Sequence, residues 1–414
     1  MSAGFRRFSI TRKVPESSII TSFYLAPCDG EPVWDASPGQ YLTLRIPDAE
    51  NTLLKTYSIS TEVTNTTETR ITVKRELAPA HLPDVPDGQG SSWLHDHASP
   101  GTEIEIAAPR GSFVLDEHSS RPVILLSGGV GQTPLLSMLH ALANSNRPVW
   151  YLHACENGEV HAMHEEVEAL VTAAKDRIHS HVCYRNPTDA DHCEQHFDSS
   201  GLIDKSLLQS LLPIDDYDCY LCGPTAFMVA IYRLLVSLGI PENRISYEFF
   251  GKATSLPALA KEAVEKNALA GPLADKETTQ ACSRAPAALA GLEHLTDPDA
   301  RAASDKVIAS TQQYSPHTQL IAGDESVISN STDVVFVRSG VSAQWSDKAT
   351  SLLELAEQSG LTPTFSCRSG ICNTCVCRIR EGEVEYFEEP LQEPDPGTVL
   401  ICCSRPRGRV VLEL

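Results

Sequence analysis

Four cysteines lie within eleven residues near the C-terminal end of the sequence, in the stretch FSCRSGICNTCVCRIREG. Three of them, Cys367, Cys372 and Cys375, are separated by four and then two residues, and Cys402 and Cys403 follow further on. This spacing with a distant fourth thiolate is the pattern that holds a [2Fe–2S] cluster. Four thiolates must converge on two irons, and the small and polar residues between them allow the tight loop that this requires.

Zinc or a disulfide knot would explain the same cysteines less well. Zinc sites more usually pair two CxxC-like knuckles, and near the cluster only Cys372 and Cys375 form one. Disulfides need an oxidising compartment, and we expect no signal peptide because the first residues contain no apolar region. The thirteen cysteines are therefore interpreted as thiols and metal ligands, with the cytosol as the expected compartment.

Two additional cysteines complicate the ligand set. Cys377 lies two residues beyond Cys375 on a predicted strand, so we expect it to point away from the cluster. At the distal end the residues Cys402-Cys403-Ser404-Arg405 offer two adjacent thiols, and spacing alone does not choose between them.

A glycine-rich turn forms the second candidate site. In SGGVGQTPLLS, the pattern Gly129-x-Gly131-x-x-Pro134 falls between a predicted strand and a predicted helix. Glycines there let a pyrophosphate approach the backbone, the helix N-terminus stabilises its charge, and proline suits the first helical turn. A plain strand-to-helix turn is the alternative. The predicted nucleotide-binding residues are Gly128, Gly129, Val130, Gly131, Gln132, Thr133 and Pro134.

Other residues that could do chemistry carry no recognisable pattern. The histidines at 153, 161 and 164 lack the HExxH arrangement of a zinc protease, and the sequence has no Gly-x-Ser-x-Gly nucleophile motif. We therefore expect these histidines to be surface or core residues.

Three patterns describe the elements that must position these sites. Residues 1–115 contain short β-branched or alternating stretches separated by turns, which predicts an antiparallel barrel or sandwich. Residues 116–251 alternate apolar strands with helices, which predicts a parallel sheet covered on both faces. Residues 331–414 predict a hairpin, final strands and one helix, TSLLELAEQSG, with Thr350 or Ser351 at its N-cap.

The stretch 252–330 differs from both of its neighbours. It is alanine-rich, contains many Pro, Gly, Ser and Thr residues, and has almost no aromatic residues. We predict a flexible linker in which LAKEAVEKNALAG can form one short helix.

Bulk composition restricts the class of protein. The 414 residues suggest two or three domains, and 42% hydrophobic with 21% charged residues is typical of a soluble globular protein. A net charge of −21 argues against nucleic acid or an anionic membrane as a partner. No apolar stretch is long enough to span a membrane.

Five short motifs occur in an order and spacing that resemble a known family. They are KTYS at 55–58, GQGS at 88–91, the glycine-rich turn, CGP at 222–224 and YEFFG at 247–251. With these motifs, residues 5–251 resemble the ferredoxin–NADP reductase superfamily, and in detail the reductase half of flavohaemoglobins. Residues 333–414 resemble the plant-type ferredoxin domain of reductases of the phthalate dioxygenase reductase and hybrid-cluster protein reductase type.

This resemblance implies a multidomain fold. Residues 1–115 would form an antiparallel β-barrel that binds a flavin, and 116–251 an α/β NAD(P)-binding domain with a parallel sheet. Residues 252–330 would be the flexible linker, and 331–414 a C-terminal α+β domain of the β-grasp type that holds the [2Fe–2S] cluster.

The resemblance also assigns roles to residues. Tyr57 would lie against the isoalloxazine and Ser58 would hydrogen-bond near flavin N5. Cys222 would approach the nicotinamide as a packing residue of the hydride-transfer site rather than as a nucleophile. Further implied cofactor-binding residues are Tyr41, Lys55, Thr56, Gly88, Ser91, Gly223, Pro224, Phe249, Phe250 and Gly251.

For the cluster, the family's distal motif Cys-x-Ser-Arg selects Cys402 over Cys403. The implied ligands are Cys367, Cys372, Cys375 and Cys402. Two positions depart from the family pattern: Lys55 stands where arginine is usual, and Asn373 stands where glycine is usual. Lysine offers phosphate a point charge instead of a bidentate fork, whereas asparagine tolerates a left-handed backbone.

Together these features predict a reductase that carries electrons from NADH through a flavin and the [2Fe–2S] cluster to an external acceptor protein. By resemblance the acceptor is a Rieske-type terminal oxygenase, or alternatively a hybrid-cluster protein. Two other hypotheses stay open: a self-sufficient flavin oxidoreductase acting on oxygen or a quinone, and a redox sensor without turnover.

The identity of the coenzymes is a separate prediction. The stretch GSSWLHDHASPG resembles flavohaemoglobins and favours FAD, whereas reductases of the phthalate dioxygenase type use FMN. NADH is favoured over NADPH because CYRNPTDADH has no basic cluster for a 2′-phosphate apart from Arg185.

Overall fold

The structure, a computed structural model, covers most of the chain outside the predicted linker. Gly251, Cys367, Cys372 and nearly all of 252–330 lie outside the described residues, so the predictions made for them are not addressed below. The described residues are 5–47, 52–64, 67–78, 87–250, 256–257, 259–261, 263, 333–346, 349–365, 370–371, 373–391 and 393–414.

The N-terminal strands form one six-stranded antiparallel sheet in the order β4-β3-β6-β1-β2-β5. An isolated bridge between Ile59 and Ile71 joins its two outer strands, so the sheet closes into the predicted barrel. Alternate side chains of its strands, such as Phe23 and Leu44, fill the interior and are fully buried. The strands are β1 Phe5–Pro15, β2 Ile20–Pro27, β3 Tyr41–Pro47, β4 Thr52–Ser58, β5 Thr69–Lys74 and β6 Glu103–Arg110.

A helix, α1 at Gln89–His97, interrupts this domain where the sequence pattern predicts none. It buries Gly90, Ser91 and Leu94 and leaves its other residues half-buried or exposed, so it lacks a regular apolar stripe. Its buried face is set by the barrel on which it packs.

The second group of strands forms the predicted parallel sheet, in the order β10-β9-β8-β7-β11-β12. The order reverses between β7 and β11, which is where ligands bind in open α/β sheets. The strands are β7 Val123–Gly128, β8 Val149–Cys155, β9 Ile178–Tyr184, β10 Ser199–Ser200, β11 Asp218–Cys222 and β12 Ile245–Glu248. The helices are α2 Gln132–Ala143, α3 His164–Ala174, α4 Asp189–Glu194, α5 Lys205–Leu211 and α6 Thr225–Ser237.

Helices cover both faces of this sheet, as predicted. Buried residues of α2 and α3 share one apolar core, and those of α5 and α6 share another. The first core also contains Ile20 and Phe113 of the barrel region, so barrel and sheet pack through a common apolar interface.

The C-terminal residues form a five-stranded mixed sheet in the order β14-β13-β17-β15-β16, the β-grasp layout expected from the resemblance. Its helix, α7 at Leu352–Gln358, begins after Ser351, whose Oγ accepts a hydrogen bond from Glu354 N at 3.2 Å. Ser351 is therefore the N-cap of the two candidates. The strands are β13 Asp333–Phe336, β14 Val341–Gln344, β15 Val376–Tyr386, β16 Thr398–Leu400 and β17 Ser404–Leu412.

Across the described parts of the chain, every helix is too short or too polar to cross a bilayer.

Candidate functional site

One cavity of about 550 Å³ brings together most of the predicted flavin residues. Its volume is within the usual range for small-molecule and cofactor sites. Barrel, parallel sheet and C-terminal domain all contribute to its lining. The predicted residues that line it are Tyr41, Lys55, Thr56, Tyr57, Ser58, Gly88, Ser91, Val130, Thr133, Phe249 and Phe250.

The barrel wall of the cavity is shaped by strand β4 and helix α1. A Cβ added at Gly90 would come within 2.6 Å of Lys55 Cγ and 3.0 Å of the Tyr57 hydroxyl, so a side chain there would displace the Lys55 side chain from its place between α1 and β4. Burial raises the pKa of Tyr57, which keeps its phenol protonated. Ser91 Oγ donates to Gly88 O at 2.9 Å and accepts from Glu76 N at 3.1 Å. These contacts preorganise a polar and aromatic wall that fits a flavin.

The glycine-rich turn forms the opposite side and packs tightly on the CGP turn. A Cβ at Gly131 would lie 2.4 Å from Cys222 O and 2.6 Å from Gly223 N, which leaves no room for a side chain. Gly129 has a φ of +51°, in the left-handed region. Gln132 is buried, and its amide donates to Ala162 O at 2.9 Å. The predicted residues that support the turn without lining the cavity are Gly128, Gly129, Gly131, Gln132, Pro134, Cys222, Gly223 and Pro224.

Cys222 and Glu248 face each other across the ends of β11 and β12, where they are paired in register. Cys222 is fully buried, and burial raises the pKa of its thiol well above the ordinary value. A thiol that stays protonated is a poor nucleophile, so this agrees with a packing role.

Glu248 is a cavity residue that the sequence analysis missed, although it lies within the YEFFG motif. Its Oε2 is buried and has no hydrogen-bond partner among the described residues, while the rest of the side chain is half-buried. Burial raises its pKa to about 8. The carboxyl is therefore mostly neutral at pH 7 and ionises just above it.

Two of the four predicted cluster ligands, Cys375 and Cys402, are among the described residues. Cys375 and Cys402 are both 3% exposed, and Gly370 N donates to Cys402 Sγ at 3.3 Å. Backbone N–H groups aimed at thiolate sulfurs are part of the [2Fe–2S] environment, so this donor set fits the cluster. Asn373 has a φ of +54°, which confirms that asparagine takes the left-handed position where the family usually has glycine.

The two additional thiols make other contacts. Cys403 Sγ lies 3.6 Å from Leu400 O, and Cys377 Sγ lies 3.7 Å from Arg378 O. Both are buried in the apolar core of the C-terminal domain. Among the described residues, no backbone N–H contacts either sulfur as Gly370 N contacts Cys402.

The C-terminal domain reaches the flavin cavity through the cluster loop. Ile371, next to the predicted ligand Cys372, lines the cavity together with Tyr57 and Val130. Arg110, at the end of β6, donates to Glu389 O at 2.9 Å and lies 3.6 Å from the Glu388 carboxylate. The cluster loop and the predicted flavin residues Tyr57 and Ser58 therefore border one cavity.

The histidines at 153, 161 and 164, which carry no catalytic pattern, lie on the α3 side of the parallel sheet. His153 is fully buried, and its Nδ1 lies 2.8 Å from Ser127 Oγ. The ring of His161 stacks on it with centroids 4.9 Å apart. Burial lowers the pKa of His153 to about 3 and that of His161 to about 2. His153 is therefore a neutral core residue and His161 a neutral, half-buried one, in agreement with the expectation that these histidines are surface or core residues.

Because His153 and His161 stay neutral in the folded protein, we predict that acid lowers its free energy of unfolding. The unfolded chain takes up protons below a pKa of about 6.5, whereas the folded chain cannot, so the free energy of unfolding falls as the pH drops. We expect urea titrations to show a loss of about 1.5 kcal/mol between pH 7.5 and 6.0 from the two groups. The double variant His153→Asn/His161→Gln should lose most of this dependence, whereas His118→Gln, at an exposed position, should retain it. An unchanged slope in the double variant would contradict the assignment.

Comparisons with known proteins divide the chain in the same way. A model of the oxidoreductase FAD-binding domain matches residues 10–115, and one of the oxidoreductase NAD-binding domain matches 125–233. A model of the 2Fe-2S iron-sulfur cluster binding domain matches residues 335–407. A solved structure, the flavohem-like FAD/NAD binding domain of nitric oxide dioxygenase from Vibrio cholerae, is 35% identical with a TM-score of 0.53. The match covers 59% of this chain and 98% of that one.

The chain belongs to the ferredoxin–NADP reductase superfamily. Its matched domains are those of an NAD(P)H-dependent oxidoreductase with FAD and a [2Fe–2S] cluster. The flavohemoprotein of Bacillus cereus (strain ATCC 10987 / NRS 248) is 43% identical over 256 residues, 61% of this chain. The chain spans about three fifths of that relative, 62% of its length. An intact type IV self-sufficient cytochrome P450 monooxygenase shares the fold over 99% of this chain and 41% of its own, at 16% identity and a TM-score of 0.51.

Proposed function

We propose that the chain is an NADH-dependent iron–sulfur flavoprotein reductase that delivers single electrons to a separate acceptor protein. The observation that carries this proposal is the shared cavity, where Ile371 of the cluster loop, Tyr57 of the barrel and Val130 of the nucleotide-binding turn are all lining residues. A bound flavin accepts a hydride as an electron pair and releases electrons one at a time, which is the conversion that a one-electron cluster requires.

The chain's own residues would bind and orient the reactants. Tyr41, Tyr57 and Ser58 offer the flavin aromatic and hydroxyl contacts, and Lys55 offers a positive charge for its phosphate. The glycine-rich turn at the start of α2 would receive a pyrophosphate, because its N–H groups and the helix dipole favour an anion. Cys375 and Cys402 would hold the cluster together with Cys367 and Cys372.

Coenzyme and acceptor complete the proposal. The matched FAD-binding model favours FAD over FMN, and the lack of a basic cluster near Arg185 favours NADH over NADPH. We propose a Rieske-type oxygenase component as the acceptor, with a hybrid-cluster protein as the second candidate. The linker at 252–330 would let the C-terminal domain collect electrons at the flavin and then meet this acceptor.

The proposed setting is the cytosol. Among the described residues, Cys28 and Cys193 are exposed free thiols, which favours a reducing compartment.

An anaerobic titration with NADH tests the electron path. We expect the flavin absorbance to bleach first and the electron paramagnetic resonance signal of a reduced [2Fe–2S] cluster to follow. Cytochrome c should be reduced by the full chain, and a chain that lacks residues 331–414 should lose this activity while its flavin is still reduced by NADH.

Two outcomes would favour the alternatives. Full activity of the shortened chain towards oxygen or a quinone would indicate a self-sufficient flavin oxidoreductase. A cluster that dithionite reduces but NADH does not would exclude the electron path and favour a sensor.

A further inference from the structure

Arg70, on β5 of the barrel, is buried and uses all five of its N–H donors. Its Nε donates to Ser60 Oγ at 3.2 Å, and one Nη2 hydrogen reaches Ser60 O. One Nη1 hydrogen reaches the Tyr24 hydroxyl at 3.3 Å. The remaining two donate to the carboxylate of Glu166, from Nη1 at 2.7 Å and from Nη2 at 3.0 Å. The barrel therefore holds the guanidinium in one orientation and directs its fork towards Glu166.

Glu166 belongs to the other domain, on helix α3 of the parallel sheet. Its Oε1 also lies 2.6 Å from His140 Nε2, on helix α2. Burial alone would raise the pKa of Glu166, but the hydrogen bonds from His140 and Arg70 outweigh it and lower the pKa. The Arg70 side chain is 5% exposed and that of Glu166 is 28% exposed, so little solvent screens the pair.

Both ends of this interaction connect to the flavin cavity, the Arg70 end through β5 and the Glu166 end through His140 on α2. On the barrel side, Thr72, Val73 and Lys74 follow Arg70 on β5 and line the cavity. On the sheet side, His140 lies on the helix that starts at the glycine-rich turn, whose Val130 and Thr133 line the opposite wall. The contact thus joins the strand of one wall to the helix of the other.

We propose that Arg70 is a positioning residue: its forked contact with Glu166, supported by His140, holds the nucleotide-binding wall at the distance from the flavin wall that hydride transfer needs. This inference rests on the proposed function. Hydride transfer is steeply sensitive to small misplacements of the two reactants. Lysine at position 70 would keep the charge but could not make two parallel contacts to the carboxylate while also bonding Ser60 and Tyr24.

The experiment compares Arg70→Lys and Glu166→Gln with Arg12→Lys in the full chain. Arg12 is a matched control because it also lies against the Tyr24 ring, at 3.6 Å, and pairs with a carboxylate, Glu68, within its own domain. Flavin reduction by NADH is followed by anaerobic stopped-flow, together with the long-wavelength charge-transfer band of the stacked nicotinamide and flavin. Electron transfer from flavin to cluster is measured separately after photoreduction without NADH.

We expect Arg70→Lys and Glu166→Gln to slow flavin reduction by about tenfold to a hundredfold and to weaken the charge-transfer band. Transfer from the photoreduced flavin to the cluster should be unchanged, because the contact does not involve the C-terminal domain. Arg12→Lys should behave like the parent protein in all three measurements.

Hydrogen exchange provides a reading that does not depend on activity. Ser18 N of the barrel donates to Glu159 O of the nucleotide-binding domain at 3.1 Å, and its exchange should accelerate in both test variants but not in Arg12→Lys. Unchanged exchange would overturn the inference, and so would accelerated exchange with an unchanged rate of flavin reduction. A parent protein whose flavin NADH does not reduce would overturn the proposed function instead, and exchange at Ser18 alone would then decide whether Arg70 holds the domains together.

Discussion

Replacing Cys402 by alanine is expected to remove the [2Fe–2S] cluster and all NADH-driven reduction of cytochrome c, while NADH still reduces the flavin. The cluster requires four thiolates, and Cys402 is the distal cysteine whose sulfur receives the Gly370 N–H. Flavin and nicotinamide residues lie on other domains, so their chemistry should survive the loss of the cluster. The measurement combines iron content, visible absorbance and electron paramagnetic resonance with stopped-flow reduction of the flavin.

Cys403→Ala is the matched control, because the two cysteines are adjacent and both are buried. Its sulfur lies near Leu400 O instead of a backbone N–H, so its removal should leave the cluster spectrum and cytochrome c reduction close to those of the parent. The reverse result, a retained cluster in Cys402→Ala and a lost one in Cys403→Ala, would show that the family motif selects the wrong thiol here.

The choice between these cysteines illustrates what sequence spacing can and cannot predict. The spacing of Cys367, Cys372 and Cys375 indicates a [2Fe–2S] cluster because cluster geometry restricts the loop that holds it. Two adjacent cysteines at the distal end satisfy the same spacing equally well. Within the part of the chain that the structure describes, the hydrogen bond from Gly370, thirty-two residues away from Cys402, distinguishes their surroundings.

Fold class was predictable because periodicity is a local property. Alternating strands up to Arg110 and the strand–helix repeat from Val123 are visible within short windows of sequence. Helix α1 at Gln89–His97 was missed because its buried residues are glycine, serine and one leucine, which form no apolar stripe. The packing of Lys55 and Tyr57 against Gly90 selects this helix, and that packing is a tertiary effect.

The site residues divide in the same way, into those that a short motif indicates and those that depend on tertiary contacts. Residues of KTYS and of the glycine-rich turn were found because their chemistry is carried by short contiguous motifs. Arg70 and Glu166 are ninety-six residues apart, and neither belongs to a motif, so their contact is visible only in three dimensions. Glu248 lies inside a recognised motif, but its pKa is raised by burial, which comes from other elements.

The elevated pKa of Glu248 leads to the second large prediction: hydride transfer to the flavin should slow steeply as the pH rises through about 8. Below that pH the carboxyl is neutral. Above it the cavity contains a buried negative charge, and hydride transfer from bound NADH moves one negative charge onto the flavin in the same cavity while the nicotinamide becomes cationic. A carboxylate that lies nearer the flavin than the nicotinamide opposes this transfer: at about 6 Å from the flavin charge and an effective dielectric constant near 20 the repulsion is about 3 kcal/mol, or roughly a hundredfold in rate between the two protonation states.

Glu248→Gln tests this because glutamine keeps the size and polarity of the protonated carboxyl and cannot ionise. We expect its rate constant for flavin reduction to stay close to the parent value at pH 7 and to remain flat up to pH 9.5, where the parent has fallen about 25-fold because about 3% of its carboxyl is still protonated. The measurement is anaerobic stopped-flow with saturating NADH at each pH, so that changes in coenzyme affinity do not enter.

Glu76→Gln is the control, since Glu76 also lines the cavity but has a side chain that is 58% exposed and lies 3.1 Å from Lys74 Nζ. Solvent and the lysine screen its charge, so its removal should leave the step near pH 8 in place. A step that persists in Glu248→Gln would assign it to another group. A parent profile that is flat from pH 7 to 9.5 would mean that the charge of Glu248 does not reach the transferring hydride.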